Sequence, residues 1–232
     1  MLRRSVIAIG LLLIAGCTHD PLARASLYPG LVAVEAPRGE LVPVLFSADR
    51  TPARQGLLHI AMYEAAVAGQ HAGLARGLGS NVADVETRVG EVLYAIDPEI
   101  APSWPAKGSG IVQIWAGTGY GLRRALDGMI EEITAALDDG TASAALRTNG
   151  PRAIRCIENT QTRADQTAAL AQRVLAAAPD AELDPMLRQL EEIAVALNNG
   201  VPSPDDEGCG LKQAFRHLNE IGLYGAEGSW GA

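Results

Sequence analysis

Aromatic side chains are scarce in this 232-residue chain, at 4% of the total. Sheet sandwiches draw on β-branched and aromatic residues for their cores, so that class is disfavoured. Catalytic signatures are also missing. The sequence holds no H-E-x-x-H or E-x-x-H ligand pair, no C-x-x-C-H haem-attachment site, no P-loop lysine and no nucleophile elbow. Cysteine is limited to Cys17, Cys156 and Cys209, with no C-x-x-C spacing for zinc. Positive charge is outweighed: the formal net charge is −8, and loss of a leader carrying Arg3 and Arg4 would leave a more acidic body. An acidic body repels phosphate backbones, which argues against nucleic-acid binding. It also argues against electrostatic docking on anionic lipid.

What is present is apolar and small. Hydrophobic residues make up 48% of the chain, much of it alanine. This suits close-packed helices, and 232 residues accommodate one domain with a leader and a tether. The expected fold is all-α: an antiparallel helical bundle over 51–224, followed by a short tail over 225–232.

The first seventeen residues read MLRRSVIAIGLLLIAGC. Arg3 and Arg4 form a positive start, and Val6 to Ile14 an apolar stretch. A bilayer-spanning helix needs about 20 residues, so this stretch is too short to span and fits a cleaved leader. Leu13-Ile14-Ala15-Gly16-Cys17 resembles the lipobox of bacterial lipoproteins. The resemblance implies a signal peptide over 1–16, a diacylglyceryl group on the Cys17 sulfur, and acylation (palmitate, for example) of the new amine. Two or more chains give stable anchoring where one does not. With Thr18 where an inner-membrane retention signal would carry Asp, the resemblance implies the outer membrane, with the domain facing the periplasm or cell surface. An ordinary cleaved signal with a chance cysteine is the competing reading.

Beyond Cys17, residues 17–50 read as a flexible tether, broken by Pro21, Pro29, Pro37 and Pro43. The apolar Leu41–Phe46 is expected on the domain surface or as a short extended piece. Thr51-Pro52 marks a helix start. Leu57, Ile60, Ala61, Tyr63, Glu64, Val67 and Ala68 then follow at helical spacing to about Gly69 or a little beyond, and Gly77, Gly79 and Ser80 end the stretch. Further helices are predicted from Asp84 to Asp97, from Leu122 to Asp138 with Gly140 as its cap, and from Ser143 to Ala178 with a kink at Gly150-Pro151. Two more run from Asp184 to Asn199 and from Leu211 to Leu223. The run Gly117-Thr118-Gly119-Tyr120-Gly121 stands before a helix but lacks the lysine of a phosphate loop, so it reads as a flexible connection.

Ile60–Gly69 and Ile130–Asp139 share an apolar pattern and an Ala-Ala pair, and Val85–Asp97 aligns with Leu146–Glu158. Either two hairpins arose by duplication and bury each other's exposed faces, or alanine-rich helices match by chance. The stretch HIAMYEAA…DVETRVGEVLYAIDP, with AIRCIENTQ later, is similar to uncharacterised bacterial helical proteins built from duplicated hairpins. The similarity covers Leu57 to Gln161. That family's second helices carry H-x-x-H pairs, which implies metal or haem binding there. Here the matching positions hold Arg88 and Glu91, then Asn149 and Arg152, and His59 alone survives. Arginine has no lone pair to give a metal. Arg88, Glu91 and Arg152 are read instead as an ion-pair cluster reading a carboxylate, or as a solvated face.

If Cys17 carries lipid, Cys156 and Cys209 remain as a pair, and an exported domain with an even pair points to a disulfide. Free thiols and a metal pair are the alternatives. No cofactor is required by these readings. The leading expectation is a lipid-anchored, non-enzymatic module that binds a protein partner in the envelope. The alternative is a periplasmic metal- or haem-binding bundle using His59, with His71 or His217.

Overall fold

The computed structural model describes residues 41–78, 82–101, 117–178, 181–203 and 206–224. Its elements belong to a compact unit beginning at Pro37. In chain order they are α1 (Val42–Leu45), α2 (Leu57–Gly77), α3 (Val82–Ile96), α4 (Leu122–Asp138), α5 (Ala144–Leu175), α6 (Asp184–Asn199) and α7 (Leu211–Tyr224). Two 3-10 turns, Pro52–Arg54 and Asp206–Gly208, join them. The described residues contain no strand, and the expected all-α bundle is what the chain forms.

Local sequence accounts for most helix boundaries. Ser143 caps α5, its hydroxyl accepting the Leu146 N–H at 3.1 Å. Gly200 ends α6 with a φ of 71°, a backbone state that costs glycine little. Along α4, Leu122, Ala125, Leu126, Met129 and Ile133 fall on one face and are buried, as their spacing predicts. Pro151 lies inside α5, and the helix runs on through it as one element. The last described turn of α4 differs from expectation. Gly140 does not adopt a left-handed φ. Instead Asp139 Oδ1 accepts the N–H and hydroxyl of Thr141, at 3.0 and 2.9 Å, which stops the helix with a side-chain turn.

The helices α2 and α5 are the hubs. The first packs against α3, α4, α6 and α7, and the second against α3, α4, α6 and α7 as well. The buried residues of α2 cover about half of its circumference, and its exposed half still carries apolar Tyr63, Ala66 and Leu74, so the helix shows little amphipathic bias. Ile60, Ile96, Leu126, Met129, Ile157 and Leu190, from five helices, are among the fully covered large side chains of the core. At Gly69, α2 lies against α6: a Cβ there would make ordinary contact with the Ala194 carbonyl oxygen and Val195 Cα, both at 3.7 Å.

The N-terminal side departs from the predicted tether. Residues 41–50 read as the end of the tether, with Leu41–Phe46 on the domain surface or extended, yet α1 is helical and packs on α2 and α4, with Leu41 and Val44 buried. Their apolar area is better removed from water than displayed on a linker. The first long helix begins at Leu57, not at Thr51, and ends at Gly77, the first of the glycines expected to stop it. Thr51 donates its hydroxyl to the Ala48 carbonyl at 2.8 Å instead of capping a helix, and it opens the 3-10 turn. That turn holds Ala53 and Arg54 at φ of 53° and 55°. The leader, Cys17, residues 102–116 and the tail from residue 225 lie outside the described residues.

Candidate functional site

Charged groups are normally kept at the surface, so those enclosed by this alanine-rich core mark its chemistry. Glu64 and His71 stand two turns apart on α2, and Glu91 faces His71 from α3's buried side. Glu64 and Glu91 are 0% exposed and His71 is 1% exposed.

His71 Nδ1 lies 2.7 Å from Glu91 Oε2. That separation brings the ring nitrogen and the carboxylate into ion-pair contact. The same oxygen accepts from Arg88 Nη1 at 2.9 Å, one turn earlier on α3. One buried carboxylate is thus shared by a ring nitrogen and a guanidinium that remains about one-third exposed at 31%. The carboxylate needs both partners, because a lone buried carboxylate is costly. Glu91 therefore does not belong to a solvated face. Arg88 and Glu91 do come together as the sequence suggested; their buried companion is His71, and Arg152 lies exposed on α5.

The second enclosed carboxylate binds backbone. Glu64 Oε1 accepts the Thr118 N–H at 2.7 Å and the Thr118 hydroxyl at 2.5 Å. Thr118 Oγ1 in turn accepts the Tyr120 N–H at 3.2 Å. Gly117, Gly119 and Gly121 have φ of 93°, 77° and 87°, so the backbone between α3 and α4 repeatedly enters the left-handed region. A Cβ on Gly117 would sit 2.2 Å from Glu64 Oε2. Burial raises the Glu64 pKa above its ordinary value, opposed by the hydrogen bonds from Thr118 and by the Gly121 N–H. The glycine run expected to be a flexible connection is instead moulded onto a carboxylate of its own chain. A glutamate in line with Ile60 and Ala68 on the apolar stripe was the available signal, and three glycines at alternate positions were the other.

The predicted histidine ligands are not gathered. His59 is exposed, while His71 and His217 are buried on α2 and α7. His59 and His71 are separated by about 18 Å of helix at 1.5 Å per residue, too far to share one ion. Among the described residues, no group of three or more His, Cys, Asp or Glu side chains is arranged to hold a metal.

Cys156 and Cys209 form a disulfide, as the cysteine count suggested. It ties α5 to the segment leading into α7. Arg163 donates to the carbonyls of Cys209 at 2.7 Å and Gly208 at 2.9 Å, and Asn159 Nδ2 donates to the Glu207 carbonyl at 3.0 Å. Three polar contacts thus surround the covalent one.

Several concave features are open to solvent, a small one of about 60 Å³ lying between the end of α3 and Gly119–Arg124. A cavity of about 220 Å³ lies between the 43–50 segment and α4, lined by Pro43, Arg50, Leu57, Tyr120 and Glu132. A wider groove of about 500 Å³ runs between α2 and α6 up to Lys212 at the start of α7. No helix among the described residues is long and apolar enough to cross a membrane.

Fold and site together define a disulfide-tied helical bundle with two enclosed carboxylates and no assembled metal centre among the described residues. Compared with protein-family models, curated proteins and solved structures, the chain matches none.

Proposed function

We propose that this chain is an exported bacterial lipoprotein, held at the outer membrane by acyl chains on Cys17, whose bundle serves as a non-enzymatic binding module for a protein of the cell envelope. The observation that carries the reading is the Cys156–Cys209 bridge. Disulfides persist in oxidising compartments and are rare in a reducing cytosol. The bridge uses two of the three cysteines and leaves Cys17, at the end of a lipobox-like run, as the third.

The enclosed ionic groups support a binding role over a catalytic one. His71 and Glu91 are shut inside the bundle in contact with each other, and Glu91 accepts from Arg88. The groove between α2 and α6 supplies a partner surface: Ala65, Ala66 and Gly69 form one wall, and Val195, 42% exposed, stands on the other beside Asn199 and Lys212. Small residues admit a partner backbone closely, and the polar rim sets its register.

The test is metabolic labelling with an alkyne-tagged fatty acid, followed by mass spectrometry of the mature N-terminus. Lipid on residue 17 that disappears in Cys17→Ser is the expected result. An unmodified N-terminus, or a retained leader in the cytosol, overturns the proposal. For the binding role, crosslinking in intact envelopes through a photoreactive residue at Val195 should capture a specific protein. Loss of that adduct on Gly69→Leu would assign it to the groove.

A further inference from the structure

The outer face of α2 carries no charged side chain from Tyr63 to Leu74, although the chain has a formal net charge of −8. Tyr63, Ala66, Gln70 and Leu74 fall at helical spacing along that face and are all exposed, Tyr63 by 39% and Leu74 by 43%. Beside them on α6 run Glu192, Val195 and Asn199, also at helical spacing and also exposed. The groove between the two stripes is the one lined by Gly69 and bounded by Lys212.

The two ends of this face differ in sign. Asn198 Nδ2 donates to the Met62 carbonyl at 3.1 Å, so the C-terminal end of α6 lies by the first turns of α2. Lys212 stands at that end, lining the groove with Ala65, Ala66 and Asn199. Midway, Gly69 meets Ala194 and Val195. At the far end Arg76 pairs with Glu191 and Arg188 with Asp184, both at 2.6 Å, and each pair cancels its own charge. Lys212 and Glu192 remain as one positive and one negative group without an ion pair among the described residues.

We propose that this face pairs two copies of the chain about a two-fold axis crossing α2 at Gln70 and α6 at Val195. The proposal rests on the groove serving as the partner surface, and it names that partner. A half-turn about such an axis sets α2 antiparallel to α2 of the second copy and exchanges the two ends of the face. Gln70 then faces Gln70 of the second copy, and a carboxamide both donates and accepts. Leu74 and Ala66 lie one turn to either side of Gln70, so each leucine is set over a small residue and beside Tyr63. Lys212 of each copy comes to the end that holds Glu192 of the other. A face that matches itself in size and in sign suits an isologous dimer. A strongly charged partner finds no net charge to answer here, whereas a second acidic copy meets no repulsion.

The experiment uses the full-length chain in intact envelopes, with a photoreactive residue at Val195 in one series and Gln70→Cys under mild oxidation in another. The expected products are an adduct of twice the chain mass and a dimer that reductant separates. Lys212→Glu sets like charges opposite each other and should cut both yields by about tenfold. Adding Glu192→Lys to that variant should restore them. Both positions are exposed, so neither change removes a core contact. An adduct of any other mass overturns the pairing of copies and leaves the groove a surface for a different protein. No adduct at all overturns both readings. Yields that ignore Lys212→Glu, or that the second charge reversal does not restore, overturn the two-fold arrangement.

Discussion

Glu64 on α2 and Thr118 before α4 meet at 2.7 Å through the Thr118 N–H and at 2.5 Å through its hydroxyl, so one carboxylate oxygen fixes the entry into α4. Its pH behaviour follows from burial. The Glu64 pKa is raised, first by burial and against the pull of the Thr118 hydrogen bonds. The folded chain therefore holds this proton at pH values where the unfolded chain has released it. Stability contributed by this group is fully present below the ordinary glutamate pKa and is lost as pH rises through the raised one. Denaturant midpoints measured across that window should fall with rising pH, by at most about 1.4 kcal/mol per pH unit. In Glu64→Gln that component of the slope should vanish; an identical slope in both proteins would remove Glu64 as its source.

Gly117 is the loop position least able to change. Alanine there would meet Glu64 Oε2 and would have to hold a φ of 93°. Left-handed backbone alone costs an L-residue about 1–2 kcal/mol. Gly117→Ala should lose at least that in a denaturation series. In the double variant with Glu64→Ala the cost should be smaller, because the clash partner has gone.

The buried pair should be asymmetric under mutation. Removing Glu91 leaves His71 and Arg88 without the oxygen they share, and breaking a buried pair on one side costs about 3–5 kcal/mol. Arg88 is partly exposed, so Arg88→Ala should cost less than Glu91→Ala. Equal effects of the two in urea unfolding would show that the guanidinium, and not the ring nitrogen, carries the pair.

Cys156→Ser should destabilise the bundle by about 4 kcal/mol on the chain-entropy account of a bridge between residues 53 apart. Cys209 should then be alkylated in denaturant without reductant. In the parent, Cys156 and Cys209 should resist alkylation under those conditions, and reaction of both would rule the bridge out.

The segment 41–50 tests where the folded unit begins. Leu41→Ala should cost about 2–5 kcal/mol, as for other buried leucines, though it lies in what the proline pattern reads as linker. A chain starting at residue 51 should melt well below one starting at residue 37, and coincident melting curves would return 41–50 to the tether.

Sequence by itself determined the helical class and most element boundaries, because periodic apolar residues, Ser143 as a cap and Gly200 as a stop act over one or two turns of chain. It also narrowed the cysteine pairing, since counting and compartment left two thiols for each other. Tertiary structure alone decided what the enclosed charges do. Arg88 and Glu91 are three residues apart and pair locally, but His71 reaches them only because α2 packs on α3. The glycine run looked like slack chain because its partner, Glu64, lies 54 residues away on another helix. Proline at position 43 suggested a linker, and only packing on α2 and α4 showed Leu41 and Val44 to be core. Local propensity carries no information about which distant surface will exclude water from a side chain, and burial is what turns these residues into a structural pair, a clamp and an anchor point.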